Sequence, residues 1–536
     1  MKENNLQNYL KTTKEHTLKM QRIVKPYFIT TPIFYVNAKP HLGHVYSVLL
    51  ADAQNRFQKL RKDSSGQTLF STGTDEHGLK IQQAAVLNGH KNPKSFCDEV
   101  SSNFRETFSN FNVQNDDFIR TTEERHFKVV QHVWNDLNSK GLLHKKSYES
   151  WYCVQDESFL TEHQVDLTKK ISLESGHPVE WATEENYVFK LEPFRERIRS
   201  WLDGKNVIRP TLFRSNLNMF LSEEMPDLSV SRSSSRLQWG IPVPNDSSQT
   251  IYVWLDALAN YLTVSGYPEN LENWPPNCHV IGKDILKFHA IYWPSFLMAL
   301  ELELPERILC HSHWTVNDEK MSKSKGNVVD PNVISEELCT FEGLRYFLLK
   351  EGVPHSDGNF NQDQLVNFLN NDLADVVGNL LNRITASSVN LEQSFYKNGA
   401  NELKTVEAED LIKSLETLRE DVEKHYEDFH YYLAIDAIMN CLRKVNGLIT
   451  VEKPWELKKS DLDRLASVLN LSLESIRICS ILLQPIIPGL CDKILSKLNI
   501  SQNQRTFEHA VLSDSYDDHK LTDGKVMLFK KIKLNK

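Results

Sequence analysis

The 536-residue chain has no C-x-x-C pair: its eight cysteines (Cys97, Cys153, Cys278, Cys310, Cys339, Cys441, Cys479 and Cys491) are scattered, which excludes a disulfide scaffold and points away from a structural zinc site. A reducing compartment follows. Long apolar runs are missing too, because the longest, around Ile478 to Leu490, is interrupted by Pro485 and Pro488, and no transmembrane helix is expected. Positive charge is also short: 62 Lys and Arg stand against 71 Asp and Glu, a net charge of −9. A protein that coats nucleic acid through bulk electrostatics is thereby excluded, and any such contact must be local. There is no internal repeat at solenoid period and no long low-complexity linker.

What is present is ordinary soluble usage, 40% apolar and 25% charged, at a length that calls for two or more domains. Two local cationic patches stand out. The first 25 residues carry six Lys/Arg against two Glu, and the last twelve, KVMLFKKIKLNK, carry five Lys and no acid. The simplest reading of both is a solvated terminus. The amino-terminal patch also reads as a weak targeting segment, with a single Arg (Arg22) and with Glu3 and Glu15 against it.

From Pro26, PYFITTPIFYVN is rich in β-branched and aromatic residues, and after Pro40 a helical pattern opens at HLGHVYSVLLADAQNRFQKLR. A second strand-like run, Gln67 to Ser71, leads into GTDEHGLKIQQAA, repeating the alternation of a parallel α/β sheet. Ligands bind such sheets at the carboxyl ends of the strands. The alternation lapses between about Lys145 and Ser229, which reads as an inserted domain, and returns with strands expected at QTIYVWLDA, CHVIGKDI and RILCHSHW. Beyond about Asn361 apolar residues recur at threes and fours, as in YYLAIDAIMNCLRKVNGLI, which predicts a helix bundle.

His41-Leu42-Gly43-His44 sits where the first strand hands over to its helix, and a spacing of three puts both imidazoles on one helical face at the amino terminus. Free backbone N–H groups and the positive end of the helix dipole favour anionic oxygen there, and Gly43 permits close approach. Alone, the tetrapeptide reads more readily as two surface histidines beside a helix cap. The second element, Lys320-Met321-Ser322-Lys323-Ser324-Lys325-Gly326-Asn327, follows the last expected strand and offers a cationic loop suited to a triphosphate. Paired in this order across the insertion, the two resemble the double signature of class I aminoacyl-tRNA synthetases. Activating a carboxylate on the α-phosphate of ATP needs positioning and charge stabilisation rather than a protein nucleophile, and no Ser/His/Asp triad is visible.

Further stretches, TTPIFYVN, TGTDEHG, LSVSR followed by WGIPVP, YVWLDALANY and VIGKDILKFHAIYWP, resemble the methionyl-tRNA synthetase family from about Pro26 to Trp455. The resemblance implies a fold class: an α/β, Rossmann-type parallel-sheet catalytic domain split by an inserted domain, followed by an all-α anticodon-binding helix bundle. The implied divisions are a targeting segment (1–25), catalytic halves (26–144 and 230–327) around the insertion (145–229), a stem-contact linker (328–375), the anticodon domain (376–520) and a basic tail (521–536). It also implies catalytic roles for His41, His44, Lys320 and Lys323, and ATP contacts from His41, Gly43, His44, Gly282, Asp284 and Lys323. A methionine pocket of Ile33, Tyr35, Trp254, Ala257, Leu258, Tyr261, Ile285, His289 and Trp293 follows by the same analogy, with Asp75 holding the ammonium. Such a pocket suits a polarizable thioether. Asn379, Arg383 and Trp455 would read the anticodon by hydrogen bonding and stacking.

The resemblance implies ATP with Mg²⁺ as cofactor and methionine tRNA, gripped at anticodon and acceptor end, as partner. It departs from zinc-bearing relatives, since WYCVQDESFLTEHQV keeps only Cys153 where cysteine knuckles would cluster, so no zinc is expected. The insertion instead resembles the zinc-free form of mitochondrial and some bacterial enzymes, and the expected location is the mitochondrial matrix. It is too short for a large editing domain. No appended tRNA-binding module follows, so a monomer is expected. Two other readings stand beside this one. A non-catalytic, synthetase-derived tRNA-binding protein would be expected to lose His41, His44 and Lys323; a small-molecule nucleotidyltransferase sharing H-x-G-H leaves the carboxy-terminal helices unexplained.

Overall fold

The β-branched and aromatic run after Pro26 forms a central strand, β1 (Tyr27–Tyr35), buried on both faces as parallel strands are. A computed structural model describes residues 25–61, 67–153, 158–160, 162–173, 175–204, 207–321, 326–395, 403–512 and 519–533. After β1 come α1 (Leu42–Arg61), β2 (Thr68–Asp75), β3 (Asp117–Arg120), α2 (Glu124–Ser139), β4 (Leu143–Cys153), β5 (Ser158–Leu160), β6 (Glu180–Phe189), β7 (Ile208–Arg209) and β8 (Leu228–Ser229). Then follow β9 (Asp246–Ile251), α3 (Val253–Leu258), β10 (Cys278–Gly282), β11 (Ile308–His311), β12 (Trp314–Val316), β13 (Glu319–Lys320) and α4 (Phe341–Glu351).

Six strands make one parallel sheet in the order β3-β2-β1-β10-β11-β7. Register is set at its centre, where Ile29 lies opposite both Phe70 and Cys278. The strand order reverses at β1, so a crevice opens at the carboxyl ends of β1 and β10. Gly73 is required on β2, because a Cβ there would sit 2.0 Å from the Ile119 carbonyl oxygen on β3.

The insertion is built on a long antiparallel pair, β4 with β6, in register from Leu143 opposite Phe189 to Tyr152 opposite Glu180. β5 and β8 flank it. Within the 145–229 stretch, however, β7 returns to the edge of the six-stranded sheet, with Ile208 opposite Ile308. Phe194 and Ile198 join the same core as Trp134 and Phe296.

The QTIYVWLDA segment differs from the expected strand. Its first three residues belong to β9, which pairs with Ser231–Ser233 and Pro242–Val243 outside the main sheet. From Tyr252 the chain turns into α3, because the Tyr252 carbonyl accepts from the amides of Leu255 (3.0 Å) and Asp256 (3.2 Å) instead of a ladder partner.

The helical half contains α5 (Asn379–Thr385), α6 (Val406–Glu427), α7 (Tyr431–Glu452), α8 (Pro454–Leu457), α9 (Leu462–Leu483) and α10 (Pro488–Lys497). Contrary to the expectation that no segment would be long and apolar enough to span a bilayer, α9 is. It is the core helix of the bundle, covered by α6, α7 and α10, and its apolarity is all-round for that reason. The last stretch also departs from a solvated tail: Leu528 is buried, and the Ile532 backbone is paired with the Asn370 side chain in both directions (2.8 and 3.0 Å).

Candidate active site

At the reversal of strand order a cleft of about 420 Å³ is lined from β1, the start of α1, the ends of β2, β10 and β11, and α3. His41, Gly43 and His44 form its floor at the amino terminus of α1. The two imidazoles stack with centroids 3.7 Å apart. His41 Nδ1 accepts the Gly43 amide (3.1 Å) and His44 Nδ1 accepts the His41 amide (3.2 Å), which fixes the neutral tautomers with the proton on Nε2. Burial, and then the neighbouring His41, hold His44 well below the ordinary histidine range. Both rings are thus neutral N–H donors at the positive end of a helix, suited to phosphate oxygens. Gly43 admits this geometry as well as a ligand, since a Cβ there would lie 3.0 Å from His41 Cε1.

The apolar wall brings together Ile33, Tyr35, Trp254, Ala257, Leu258, Tyr261, Ile285 and His289. His289 lies on a π-helical turn, Phe288–Tyr292, a geometry frequent at functional sites. Its Nδ1 donates to the Ile285 carbonyl (2.9 Å), so its Nε2 accepts from the Tyr261 hydroxyl (2.8 Å). Burial pushes His289 down to about 4, more than the Ile285 carbonyl raises it. Trp254 is stacked on Phe288 at 3.6 Å. Trp293 is the exception among the expected pocket residues: fully buried, it stands behind Tyr261 and donates its indole N–H to His279 Nε2 (3.3 Å).

Asp75, at the end of β2, reaches the cleft from a loop that is firmly held. Glu76 accepts from Arg120 Nε (2.6 Å), and the Trp239 indole donates to the Glu76 carbonyl (2.5 Å). Gly282 and Asp284 line the opposite rim, with Asp284 3.1 Å from His313 Nε2. Lys320 lies on β13, whose backbone pairs with Thr315, and Met321 reaches the cleft. Lys323 falls outside the described residues.

Sequence reasoning missed three features. Lys80 lines the cleft beside the Tyr35 ring. His311 closes it from β11, with Nε2 2.7 Å from Ser47 Oγ and Nδ1 2.8 Å from the Ser312 carbonyl. Behind α3, Asp256 is gripped by His77 (2.6 Å) and His126 (2.7 Å). His77 lay within the quoted TGTDEHG stretch and Lys80 two residues beyond it; the other pairings join residues too distant in sequence for any local pattern to reveal.

At the far end, Asn379 and Arg383 are exposed on α5 and Trp455 is 40% exposed on α8. Asn379 Nδ2 donates to Asp375 (3.0 Å), and Lys458 Nζ donates to the Ser388 carbonyl (2.9 Å), tying the segment after Trp455 to the chain beyond α5.

Comparison with known proteins agrees with this arrangement. The family described as tRNA synthetases class I (M) matches residues 27–385, and the anticodon binding domain of methionyl tRNA ligase matches residues 397–536. The human protein named methionine–tRNA ligase, mitochondrial, is 49% identical over 90% of this chain and 85% of its own length. A Schizosaccharomyces pombe protein named as a probable mitochondrial methionine–tRNA ligase is 42% identical over 91% and 92% respectively. Among solved structures, Mycobacterium tuberculosis methionyl-tRNA synthetase in complex with methionyl-adenylate superposes with a TM-score of 0.89 at 35% identity, covering 94% of this chain and all of that one. The chain therefore belongs to the methionyl-tRNA synthetase family, the methionine–tRNA ligases of class I.

Proposed function

We propose that the protein activates L-methionine with ATP and transfers it to the 3′-terminal adenosine of methionine tRNA for translation in the mitochondrial matrix. The observation that carries this reading is the meeting, in one cleft, of the stacked His41–His44 pair with an aromatic wall and the Asp75 carboxylate. In the first step a carboxylate oxygen of methionine bonds to the α-phosphorus of ATP, and the bond to the β-phosphate breaks, releasing diphosphate. His41 and His44 donate Nε2–H to the phosphate oxygens as charge builds up, with Lys320 and Lys323 as the cationic partners. Asp75 holds the ammonium, and the apolar wall takes the thioether, whose polarizable sulfur favours aromatic edges. In the second step a ribose hydroxyl of the terminal adenosine attacks the acyl carbon, and AMP leaves. Gly282 and Asp284, which line the cleft, are assigned to the adenosine ribose.

Mg²⁺ would accompany ATP and supply neutralisation of phosphate charge. No zinc is part of the proposal: Cys153 is the one cysteine in the 145–229 sequence and is buried, so the donor set does not fit a four-coordinate site. Asn379, Arg383 and Trp455 are assigned to the anticodon, whose unpaired bases stack on an exposed indole. A monomer is proposed, in keeping with the convergence of the assigned described residues of one chain on this cleft. The mitochondrial names of the relatives support the location, while the cationic segment 1–24 falls outside the described residues.

The test is amino-acid-dependent exchange of pyrophosphate into ATP across the twenty amino acids. Strongest exchange with methionine is expected. Exchange with none, alongside retained tRNA binding, would instead support the non-catalytic reading, and strongest exchange with another amino acid would refute both. Trp455→Ala is expected to leave this exchange intact while lowering tRNA charging. For location, residues 1–25 fused to a reporter should be imported; cytosolic retention would count against the targeting role.

A further inference from the structure

The Asp256 carboxylate lies beneath the cleft with 1% exposure. Its Oδ2 is 2.6 Å from His77 Nδ1 and its Oδ1 2.7 Å from His126 Nε2, and both imidazoles are buried. Burial alone would raise its pKa, but the adjacent histidines outweigh that and keep it below the carboxylate range. An ionised carboxylate only accepts, so both ring nitrogens are donors to it. None of these three groups takes part in the chemistry proposed above.

Their positions in the chain give them a different use. Asp256 lies on α3 between Trp254 and the Ala257–Leu258 pair, all three of which line the cleft. His77 lies two residues beyond Asp75, on the loop that presents the carboxylate assigned to the substrate ammonium. His126 anchors the other carboxylate oxygen from α2, and its Nδ1 is 2.9 Å from Thr263 Oγ1 just beyond α3. The wall that meets the far end of a bound amino acid is thus pinned through Oδ2 to the loop that meets its ammonium and through Oδ1 to α2.

We infer that Asp256, clasped by His77 and His126, is a positioning residue that fixes the distance from Asp75 to the Trp254–Leu258 wall and so sets the side-chain length the cleft accepts. The inference rests on the methionine reading of that cleft. A charge-assisted pair buried on both oxygens resists sliding in a way that apolar packing alone does not. One methylene in an apolar pocket is worth roughly 10- to 200-fold in discrimination, so loosening the clasp should be read first by a substrate one methylene longer.

The experiment uses the full chain and compares pyrophosphate exchange with methionine and with ethionine for the wild type, Asp256→Asn, His77→Ala and His77→Asn. The last variant keeps an N–H donor near the Nδ1 position. His77→Ala and Asp256→Asn are expected to raise the methionine KM by roughly tenfold and to cut the preference for methionine over ethionine by a similar factor, as small misplacements do. The ATP KM should stay put, and His77→Asn should restore both quantities. Unchanged preference in His77→Ala would overturn the inference, as would parallel loss of both KM values without rescue by His77→Asn, which is the pattern of a merely structural role. If Asp256→Asn does not fold, the two His77 variants decide. Were the wild type to exchange with a different amino acid, the functional reading would fall, and the same variants assayed with that amino acid and its one-methylene homologue would still decide the clasp.

Discussion

Ser47 Oγ lies 2.7 Å from His311 Nε2, joining residues 264 positions apart, and also contacts the Gly43 carbonyl at 3.0 Å. The contact links the helix that carries His41 and His44 to β11, the strand that precedes β12 and β13. The helix proposed to meet phosphate is therefore hydrogen-bonded to the end of β11. His311→Ala should lower kcat for adenylate formation by about tenfold to a hundredfold, the scale of a small misplacement, with little change in methionine KM. Stopped-flow measurement of the first step checks this. A raised methionine KM at unchanged kcat would show that the contact serves the amino-acid side instead.

The same histidine makes a prediction about acid. His289 and His311 are fully buried, and desolvation pushes each down to about 4, against about 6.5 in the unfolded chain. The unfolded state therefore binds more protons between those values, and stability present above about pH 6.5 is lost as pH falls toward 4. At pH 5 each histidine should have removed about 2 kcal/mol relative to neutral pH. Urea unfolding at pH 7 and pH 5 tests it: the loss in His289→Asn should be smaller than in the wild type by that amount. Equal losses would mean that His289 is not held neutral by burial.

The HLGH helix start and the central strand were legible because Pro40 and the β-branched run mark them locally. Eight of the nine side chains expected around a thioether do line the cleft. Trp293 does not: analogy assigned it to the pocket, whereas it is buried behind Tyr261 with its indole N–H on His279. The strand expected at Tyr252–Ala257 failed for a different reason: its β-branched and aromatic content describes a buried segment, and burial alone does not choose between strand and helix. Ser47–His311 and the Asp256 clasp were illegible in principle, since nothing local marks a partner more than a hundred residues away.

Arg345, buried on α4, makes the joint between the two halves of the molecule. Its guanidinium pairs with Asp52 on α1 and donates to the carbonyls of Ile486 (2.6 Å) and Pro485 (2.9 Å) at the turn before α10. Asp52, for its part, is held ionised by Arg345 and Arg56 against the opposing effect of burial. Removing the cation strands that carboxylate, so Arg345→Met should cost about 3–5 kcal/mol in urea unfolding at pH 7. Arg345→Met combined with Asp52→Asn should recover part of it. A loss under about 1 kcal/mol would show that Arg56 alone satisfies Asp52.

The carboxy-terminal stretch offers the sharpest contrast with the reading of KVMLFKKIKLNK as a solvated terminus. Lys497 Nζ donates to the Thr522 and Gly524 carbonyls, Lys531 pairs with Asp375 at 2.8 Å, and Asn370 brackets the Ile532 amide and carbonyl. Leu528 adds an apolar anchor at 7% exposure. Lys525, Lys530, Lys531 and Lys533 are exposed on a segment fastened by its backbone and its apolar side chains, which is why charge alone misread it. Burying one leucine contributes about 1.5–3 kcal/mol and each hydrogen bond about 0.5–1.5 kcal/mol. Deleting residues 526–536 should therefore destabilise the protein by about 3 kcal/mol, and Asn370→Ala by about 1–2 kcal/mol. Amide hydrogen exchange provides the independent check: Ile532 N–H, donated to Asn370 Oδ1, should exchange slowly in the wild type and quickly in Asn370→Ala. Fast exchange in both would mean that the tail is not docked in solution.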